Sequence, residues 1–261
     1  MTRDPARPRL PVLVQNVDPP AQCGTCLLHD LPHAFLPSSP EERAAIGAFR
    51  SGTHTVAAGN AIIREDERST HLYTLYAGWA FRYKTLSDGR RQILHFLLPG
   101  DLMGLQDEFA EGSTHGVEAA TDVRLCAFPR DRLWGFFHAQ PKMGYAITWL
   151  AAREEKMLDD ILVSNGRRNA AERVAMLLLH LFRRAEHVGL TDGRRLAFPF
   201  NQQHIADALG LSLVHTNKTL RKLQRDGLHR LEGGVLEILD PHALAQLGDY
   251  FERPMRPVPV L

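Results

Sequence analysis

One stretch, residues 199–228, constrains the fold of this chain more than any other feature. Two short helical patterns flank a corner at Gly210-Leu211-Ser212. Their apolar positions recur at helical spacing: Ile205, Ala208 and Leu209 before the corner, and Val214, Leu220 and Leu223 after it. A tight glycine turn between a short helix and a longer polar one is the helix-turn-helix arrangement, in which the second helix lies in the DNA major groove. The alternative is a solvated helix of another all-α protein.

The second helix presents a polar and basic face. We predict these residues as its DNA contacts: Val214, His215, Thr216, Asn217, Lys218, Arg221, Lys222 and Arg225. The helix has no carboxylate before Asp226, although the chain as a whole is nearly neutral, with a net charge of +1. A basic patch on one helix of a neutral chain favours a site-specific DNA binder.

Length and composition set further limits. At 261 residues the chain has room for two modest domains, and its 44% share of apolar residues fills ordinary cores. No apolar run approaches the ~20 residues that span a bilayer. The N-terminus also lacks the apolar core of a signal peptide. We therefore expect a cytoplasmic protein without a membrane partner.

Residues 1–40, with eight prolines, predict an irregular arm. Residues 41–137 predict a helix at 41–49 and then a β-domain, in which short β-prone runs alternate with turns such as Asp88-Gly89. Strands spaced roughly eight to twelve residues apart are typical of a sandwich or jelly-roll barrel. Such a barrel has an interior that could hold a small ligand.

Residues 138–166 predict one long helix with a near-heptad apolar stripe. In a coiled-coil dimer the interface residues would be Ile147, Leu150, Glu154, Leu158 and Ile161. The alternative is a helix that packs on its own domain. Glu154 and its neighbour Glu155 interrupt the stripe, so we expect dimerisation to be weakened or conditional.

Residues 167–240 predict a winged helix-turn-helix domain. Asn169 can cap a helix from 170 to about 186, and a hairpin that turns at Gly233-Gly234 follows the second DNA helix. Residues 241–261 predict one short helix and then a mobile, proline-rich tail. The whole chain is therefore expected to be an α+β protein.

In this order, barrel, long helix and winged domain resemble the CRP/FNR family, named for the cyclic-AMP receptor protein and the fumarate–nitrate regulator. The most specific matches are Phe96-Leu-Leu-Pro-Gly-Asp-Leu-Met-Gly, Arg168-Asn-Ala-Ala-Glu-Arg-Val and the helix-turn-helix. The resemblance covers residues 20 to 240 and implies a cyclic-nucleotide-binding-like jelly roll. It also implies a transcription activator that binds a two-fold operator as a homodimer and works with RNA polymerase.

The residues that would recognise a cyclic nucleotide in this family are missing. In cyclic-nucleotide members, a Glu after the Gly-Asp-x-x-Gly turn binds the ribose, and an Arg about ten residues later binds the phosphate. The matching positions here are Leu105 and His115. A cyclic phosphate would lose its bidentate arginine partner. We therefore expect no response to cyclic AMP.

The cysteines resemble those of the oxygen-sensing branch, which holds a 4Fe–4S cluster on an N-terminal cysteine group and one late-strand cysteine. The chain has three, an odd number that argues against a disulfide framework: Cys23, Cys26 and Cys126. The branch's further N-terminal cysteine is replaced by Pro32, so His29, Asp30 or His33 would supply the fourth ligand. We choose His33 because it is closest in sequence to the position of the missing cysteine. A vestigial or thiol-redox pair and a zinc site are the alternatives.

The recognition helix departs from the same branch, in which a Glu, a Ser and an Arg contact bases. The matching positions are Val214, Asn217 and Lys218. Val214 could touch a thymine methyl group, Asn217 can pair with adenine and Lys218 can reach guanine. We therefore expect a half-site that differs from the branch's usual one.

Two other functions were weighed. The thirteen histidines form no catalytic pattern, and a Cys-x-x-Cys oxidoreductase would need a βαβ context that the proline-rich arm does not offer, so we expect no enzyme. A regulator with haem or an organic acid in its barrel is the second. Its pocket would be lined by these aromatic residues, unless they are plain core: Trp79, Phe81, Tyr83 and Phe96.

Overall fold

The structure is a computed structural model that describes residue 23 and residues 26–31, 33–108, 112–250 and 255–261. The first long element is helix α1 (Pro40–Phe49). It begins at Ser39, whose side chain accepts a hydrogen bond from the Glu42 backbone N–H, while the Glu42 carboxylate accepts from Ser39 N–H. This reciprocal capping box fixes the start of the helix predicted at 41–49.

The β-domain is a sandwich of two antiparallel four-stranded sheets, with strand orders β1-β8-β3-β6 and β2-β7-β4-β5. Its strands are β1 (Gly52–Val56), β2 (Ala61–Ile63), β3 (His71–Ala77), β4 (Ala80–Thr85), β5 (Arg91–Leu97), β6 (Leu102–Met103), β7 (Gly116–Ala119) and β8 (Val123–Pro129). Leu75, Leu97 and Val117 are fully buried in the core between the sheets. The predicted jelly-roll class is confirmed.

The predicted long helix is two helices, α2 (Leu133–Ala139) and α3 (Pro141–Arg167). Pro141 starts α3, because a proline in the first helical turn removes only an N–H that has no partner within the helix. The helix therefore begins three residues later than predicted.

The winged domain follows as helices, strands and a final short helix. Its elements are α4 (Ala170–His187), β9 (Thr191–Asp192), β10 (Arg195–Ala197), α5 (Gln202–Leu209), α6 (Leu213–Arg225), β11 (His229–Glu232), β12 (Val235–Ile238) and α7 (Pro241–Leu247). The predicted hairpin is β11–β12, but β10 and β9 join it in a four-stranded sheet of order β11-β12-β10-β9.

The end of the chain corrects one prediction. The short helix α7 is present, but the last four residues of the tail, 258–261, are packed rather than free. The structure also bears on the membrane: within the part of the chain that it describes, none of the helices combines the length and apolar character needed to cross a bilayer.

Candidate DNA-binding surface and effector sites

The helix-turn-helix corner depends on one glycine and one serine. Gly210 ends α5 in the left-handed conformation, at φ +63°, which glycine adopts without steric cost. Two residues on, the Ser212 hydroxyl accepts a hydrogen bond from His215 N–H at 3.2 Å and caps α6. Leu220 and Leu223 are buried beneath the helix. The corner and the apolar anchors together fix which face of α6 points outward.

That outward face carries six of the eight predicted DNA contacts. The exposed members are Val214, His215, Lys218, Arg221, Lys222 and Arg225. Val214 is 79% exposed, unusually high for an apolar residue. Thr216, by contrast, is fully buried, so its prediction as a DNA contact is wrong: it lies on the anchored side of the helix. Asn217 is half-buried, and its Oδ1 has no hydrogen-bond partner among the described residues.

A side chain at the far end of α6 ties the helix to the wing. Gln224 donates through Nε2 to Glu232 Oε1 at 3.2 Å and accepts from Leu231 N–H at 3.4 Å. The recognition helix and the hairpin therefore form one rigid surface.

The winged domain is held against the barrel by a buried cluster of charges that the sequence analysis missed. The Arg184 guanidinium of α4 donates to Asp101 Oδ2 at 2.6 Å and to the Phe96 carbonyl at 2.7 Å, and contacts His95 Nε2 at 2.8 Å. Asp101 receives a second cation, Arg153 of α3, at 3.0 Å. The two guanidinium groups outweigh burial and hold the pKa of Asp101 well below its usual range. We call this cluster (His95, Asp101, Arg153, Arg184) the joint.

One signal could have revealed the joint. Arg184 occupies an apolar-stripe position of α4, three residues after Leu181 and four before Val188, and an unpaired charge there would be costly. Aromatic residues extend the contact, because Trp79 and Phe96 both pack on Phe200 of the winged domain, at ring-centroid distances of 5.4 and 4.4 Å. These two aromatic residues therefore belong to the buried core between the barrel and the winged domain.

The stripe predicted as a dimer interface faces inward. Ile147 and Leu150 are 3% and 5% exposed within the single chain, and Glu154 forms an ion pair with the buried Arg82 of β4. Leu158 and Ile161 are half-buried. The prediction of these residues as the dimer seam is therefore wrong for this conformation, and the alternative of a helix packed on its own chain describes them.

A second face of α3 is exposed and runs the length of the helix. Its members recur at intervals of three and four residues: Tyr145, Thr148, Ala152, Glu155, Asp159 and Leu162. Tyr145 and Leu162 are each 73% exposed.

A cavity of about 370 Å³ lies between the barrel and α3. Leu105 and His115, the positions that would recognise a cyclic nucleotide, both line it, as do Arg82, Arg153 and Glu154. Both arginines are already paired, with Glu154 and Asp101. Burial and the nearby Arg82 lower the pKa of His115 to about 3, so this ring is neutral at physiological pH.

The three cysteines come together. Cys23, Cys26 and Cys126 are all buried, Cys23 and Cys26 lie close enough to Cys126 to act on its thiol, and the Arg50 guanidinium lies 3.9 Å from Cys126 Sγ. Burial, with a smaller contribution from the neighbouring thiols, raises the pKa of Cys126 to about 11, although Arg50 lowers it. His33 does not join them: its ring packs edge-on against His187 of α4, with centroids 6.1 Å apart. Among the described residues, no group of three or more His, Cys, Asp and Glu side chains is arranged to hold a metal ion.

Comparison with known proteins gives the family. A family model for the cyclic nucleotide-binding domain matches residues 53–140, and one for the Crp-like helix-turn-helix domain matches residues 172–247. The transcriptional activatory protein AadR of Rhodopseudomonas palustris is 35% identical over 184 residues, which are 69% of this chain and 74% of that protein. The chain belongs to the CRP/FNR family of transcription regulators.

A second relative and a solved structure are FixK proteins. The nitrogen fixation regulation protein FixK of Bradyrhizobium diazoefficiens is 33% identical over 71% of this chain and 77% of its own length. The structure of FixK2 from Bradyrhizobium japonicum superposes with a TM-score of 0.68 at 30% identity, covering 75% of this chain and 96% of that one. The fold and the DNA-binding class of this CRP/FNR protein are therefore as predicted.

Proposed function

We propose that this CRP/FNR protein is an activator that binds a two-fold operator as a homodimer and reads each half-site with Val214, Asn217 and Lys218. The outward, acid-free face of α6 carries the proposal. The side chain of an exposed valine at the start of a recognition helix forms no hydrogen bonds, but it can contact a thymine methyl group. RNA polymerase is the partner that activation requires. The working parts are an arm (1–40), a sensor barrel (41–137), a long helix (138–166), a winged domain (167–240) and a tail (241–261).

Selection of operators from random duplex DNA, followed by mobility shift, tests the base-reading role. The double variant Asn217→Ala/Lys218→Ala should lose the selected site while it keeps weak general DNA binding. Lys142→Ala, which removes an exposed lysine of α3 far from α6, is the matched control and should bind as the wild type does. Unchanged operator affinity in the double variant would reject the assignment.

We place the dimer contact on the exposed face of α3 rather than on the stripe predicted from the sequence. Pairing across Tyr145, Thr148, Ala152 and Leu162 would cover apolar surface that the protomer leaves open. Sedimentation with Leu162→Glu tests this placement, because a buried charge on the dyad should give a monomer. A monomer of wild-type protein on a single half-site would reject the dimer itself.

Two effector sites have support, and neither takes cyclic AMP in our proposal. The first is the three-cysteine cluster as a redox- or metal-responsive site, supported by the convergence of Cys23, Cys26 and Cys126. Three thiols alone do not complete the ligand set of a 4Fe–4S cluster, and His33 is turned away from them. Iron and sulfide assays on protein prepared without air, with Cys23→Ser and Cys126→Ser as comparisons, test this site. If the wild-type protein is colourless and free of iron and both variants regulate normally, the cysteines have no role in sensing.

The second is the 370 Å³ cavity, which is within the usual size of a small-molecule site. Its mixed charges suit a small polar metabolite better than a nucleotide phosphate, since Arg82 and Arg153 already have carboxylate partners. Calorimetry with cyclic AMP should show no binding. Saturable binding with a shift in operator affinity would overturn this expectation.

A further inference from the structure

The tail that follows the winged domain forms a strand contact with the N-terminal arm. Val258 N–H donates to the Ala34 carbonyl at 2.9 Å, and Leu36 N–H donates to the Val258 carbonyl at 2.8 Å. These two bonds make a parallel bridge between Phe35 and Val258. The arm and the tail are therefore paired through their backbones although more than two hundred residues separate them.

Apolar burial accompanies the bridge. Val258, Val260 and Leu261 are 5–8% exposed, whereas Met255, at the start of the described tail, is 38% exposed. Residues 258–261 are all buried, including Pro259, as expected for a short segment lying in a groove. Residues 255–261 are thus a docked segment, which we call the clasp.

The arm residues under the clasp contact residues that neighbour the joint in sequence. Gly100 has φ +92°, and its Cα lies directly against the Phe35 ring, so that a side chain at position 100 would overlap the ring. The next residue along this turn is Asp101, which binds Arg184. His33 packs against His187 of α4. The arm is therefore held between the barrel turn and the first helix of the winged domain.

A short run of local hydrogen bonds connects the clasp to the cysteines. The Cys26 carbonyl accepts from His29 N–H at 3.0 Å, and the Leu31 carbonyl accepts from Ala34 and Phe35 N–H, both at 2.9 Å. Leu28, between them, is 1% exposed. Because residues 26–31 and 33–35 are linked by these hydrogen bonds, displacement at one end should be transmitted to the other.

We propose that the clasp seats the cysteine-bearing arm, so that the position of the winged domain and the accessibility of the three thiols are coupled. Release of the tail exposes the thiols, and by thermodynamic reciprocity a chemical change at the thiols loosens the tail and the domain it belongs to. The coupling adds a route of regulation to the proposed DNA-binding function.

Thiol labelling of the full-length chain with a chromogenic disulfide reagent measures the seating directly. The labelling rate of a buried thiol follows the population of the open state. Val258→Asp should raise the rate about tenfold or more, because it puts a charge in the groove. Val258→Pro, which removes the N–H that bonds Ala34 and replaces the charge-free valine side chain with an equally apolar ring, should raise it about fivefold. Met255→Asp, an exposed position in the same segment, is the matched control and should leave the rate unchanged.

Labelling requires no operator, so its result is independent of whether the proposed DNA site is right. Equal labelling rates in wild type and Val258→Asp, or an equal rise in Met255→Asp, would overturn the seating role. Circular dichroism and the milder Val258→Pro variant separate release of the tail from loss of the fold. Operator affinity should change at least about threefold in Val258→Asp. Exposed thiols with unchanged operator affinity would overturn the coupling.

Discussion

The recognition helix and the joint use the same residue types in opposite ways. On α6 the cations Lys218, Arg221 and Arg225 lie in solvent and await a partner outside the chain. In the joint, Arg184 is 5% exposed and has its carboxylate partner within the chain. An exposed cation contributes little to folding, whereas a buried one cannot lose its partner without a large loss of stability. Charge on α6 therefore serves binding, and charge in the joint fixes the placement of one domain on the other.

The neighbouring residues Arg183 and Arg184 give the most direct test of whether a buried cation stabilises the fold more than an exposed one. Arg184→Ala removes the 2.6 Å partner of the buried Asp101 carboxylate and leaves Arg153 as its remaining cation, which should cost about 1.5–3 kcal/mol. Arg183 instead pairs with the partly exposed Glu186, and Arg183→Ala should cost less than about 1 kcal/mol. Urea unfolding monitored by fluorescence measures both. Similar losses for the two variants would mean that the joint is not a stabilising contact.

On α6 the effect should appear in binding and not in stability. Lys218→Ala should cost about 1–3 kcal/mol at the selected operator and relax the base preference at one position. Arg225→Ala, at the exposed end of the helix, should weaken all sequences alike and reduce the salt dependence of binding. Mobility shifts on matched and mismatched sites over a salt series distinguish the two. A loss of folding stability in either variant would show that the face is not free.

Two histidines extend the comparison to pH. His229 on β11 is fully buried, its ring nitrogens have no hydrogen-bond partner among the described residues, and burial lowers its pKa to about 4. As the pH falls, His229 binds a proton in the unfolded chain before it does so in the folded chain. The contribution of His229 to the free energy of unfolding is therefore complete above about pH 6.5 and is lost between pH 6.5 and pH 4, by up to about 1.4 kcal/mol per pH unit. His229→Phe should flatten this slope in urea unfolding between pH 7.5 and 5. His215→Gln, a substitution on the exposed face of α6, is the surface control for this experiment.

These differences explain what could be predicted from the sequence. The helix-turn-helix was predictable because Gly210, Ser212 and the apolar spacing of α6 are local signals. The burial of Thr216 follows from the same spacing, since position 216 shares a helix side with Leu220 and Leu223. For the joint, the stripe position of Arg184 indicates a buried cation, but its partner was not predictable, because Asp101 is 83 residues away and nothing local pairs the two. The clasp was not predictable for a similar reason. The prolines around Val258 suggest a mobile segment, and the groove that holds the valine is formed by residues far away in the sequence.

The adjacent glutamates of α3 give the smallest effect and the sharpest correction. Glu154 is paired with the buried Arg82, so Glu154→Ala should destabilise the fold and should not tighten a dimer. Glu155 is exposed on the face where we place the dimer contact, and a copy across the dyad would bring two like charges together. Glu155→Ala should therefore tighten dimerisation by about 0.2–1 kcal/mol, an effect that fades at high salt because exposed charges are screened. Sedimentation equilibrium at low and high salt measures the change. If Glu154→Ala tightened the dimer instead, the interface would lie on the inward stripe that was predicted from the sequence.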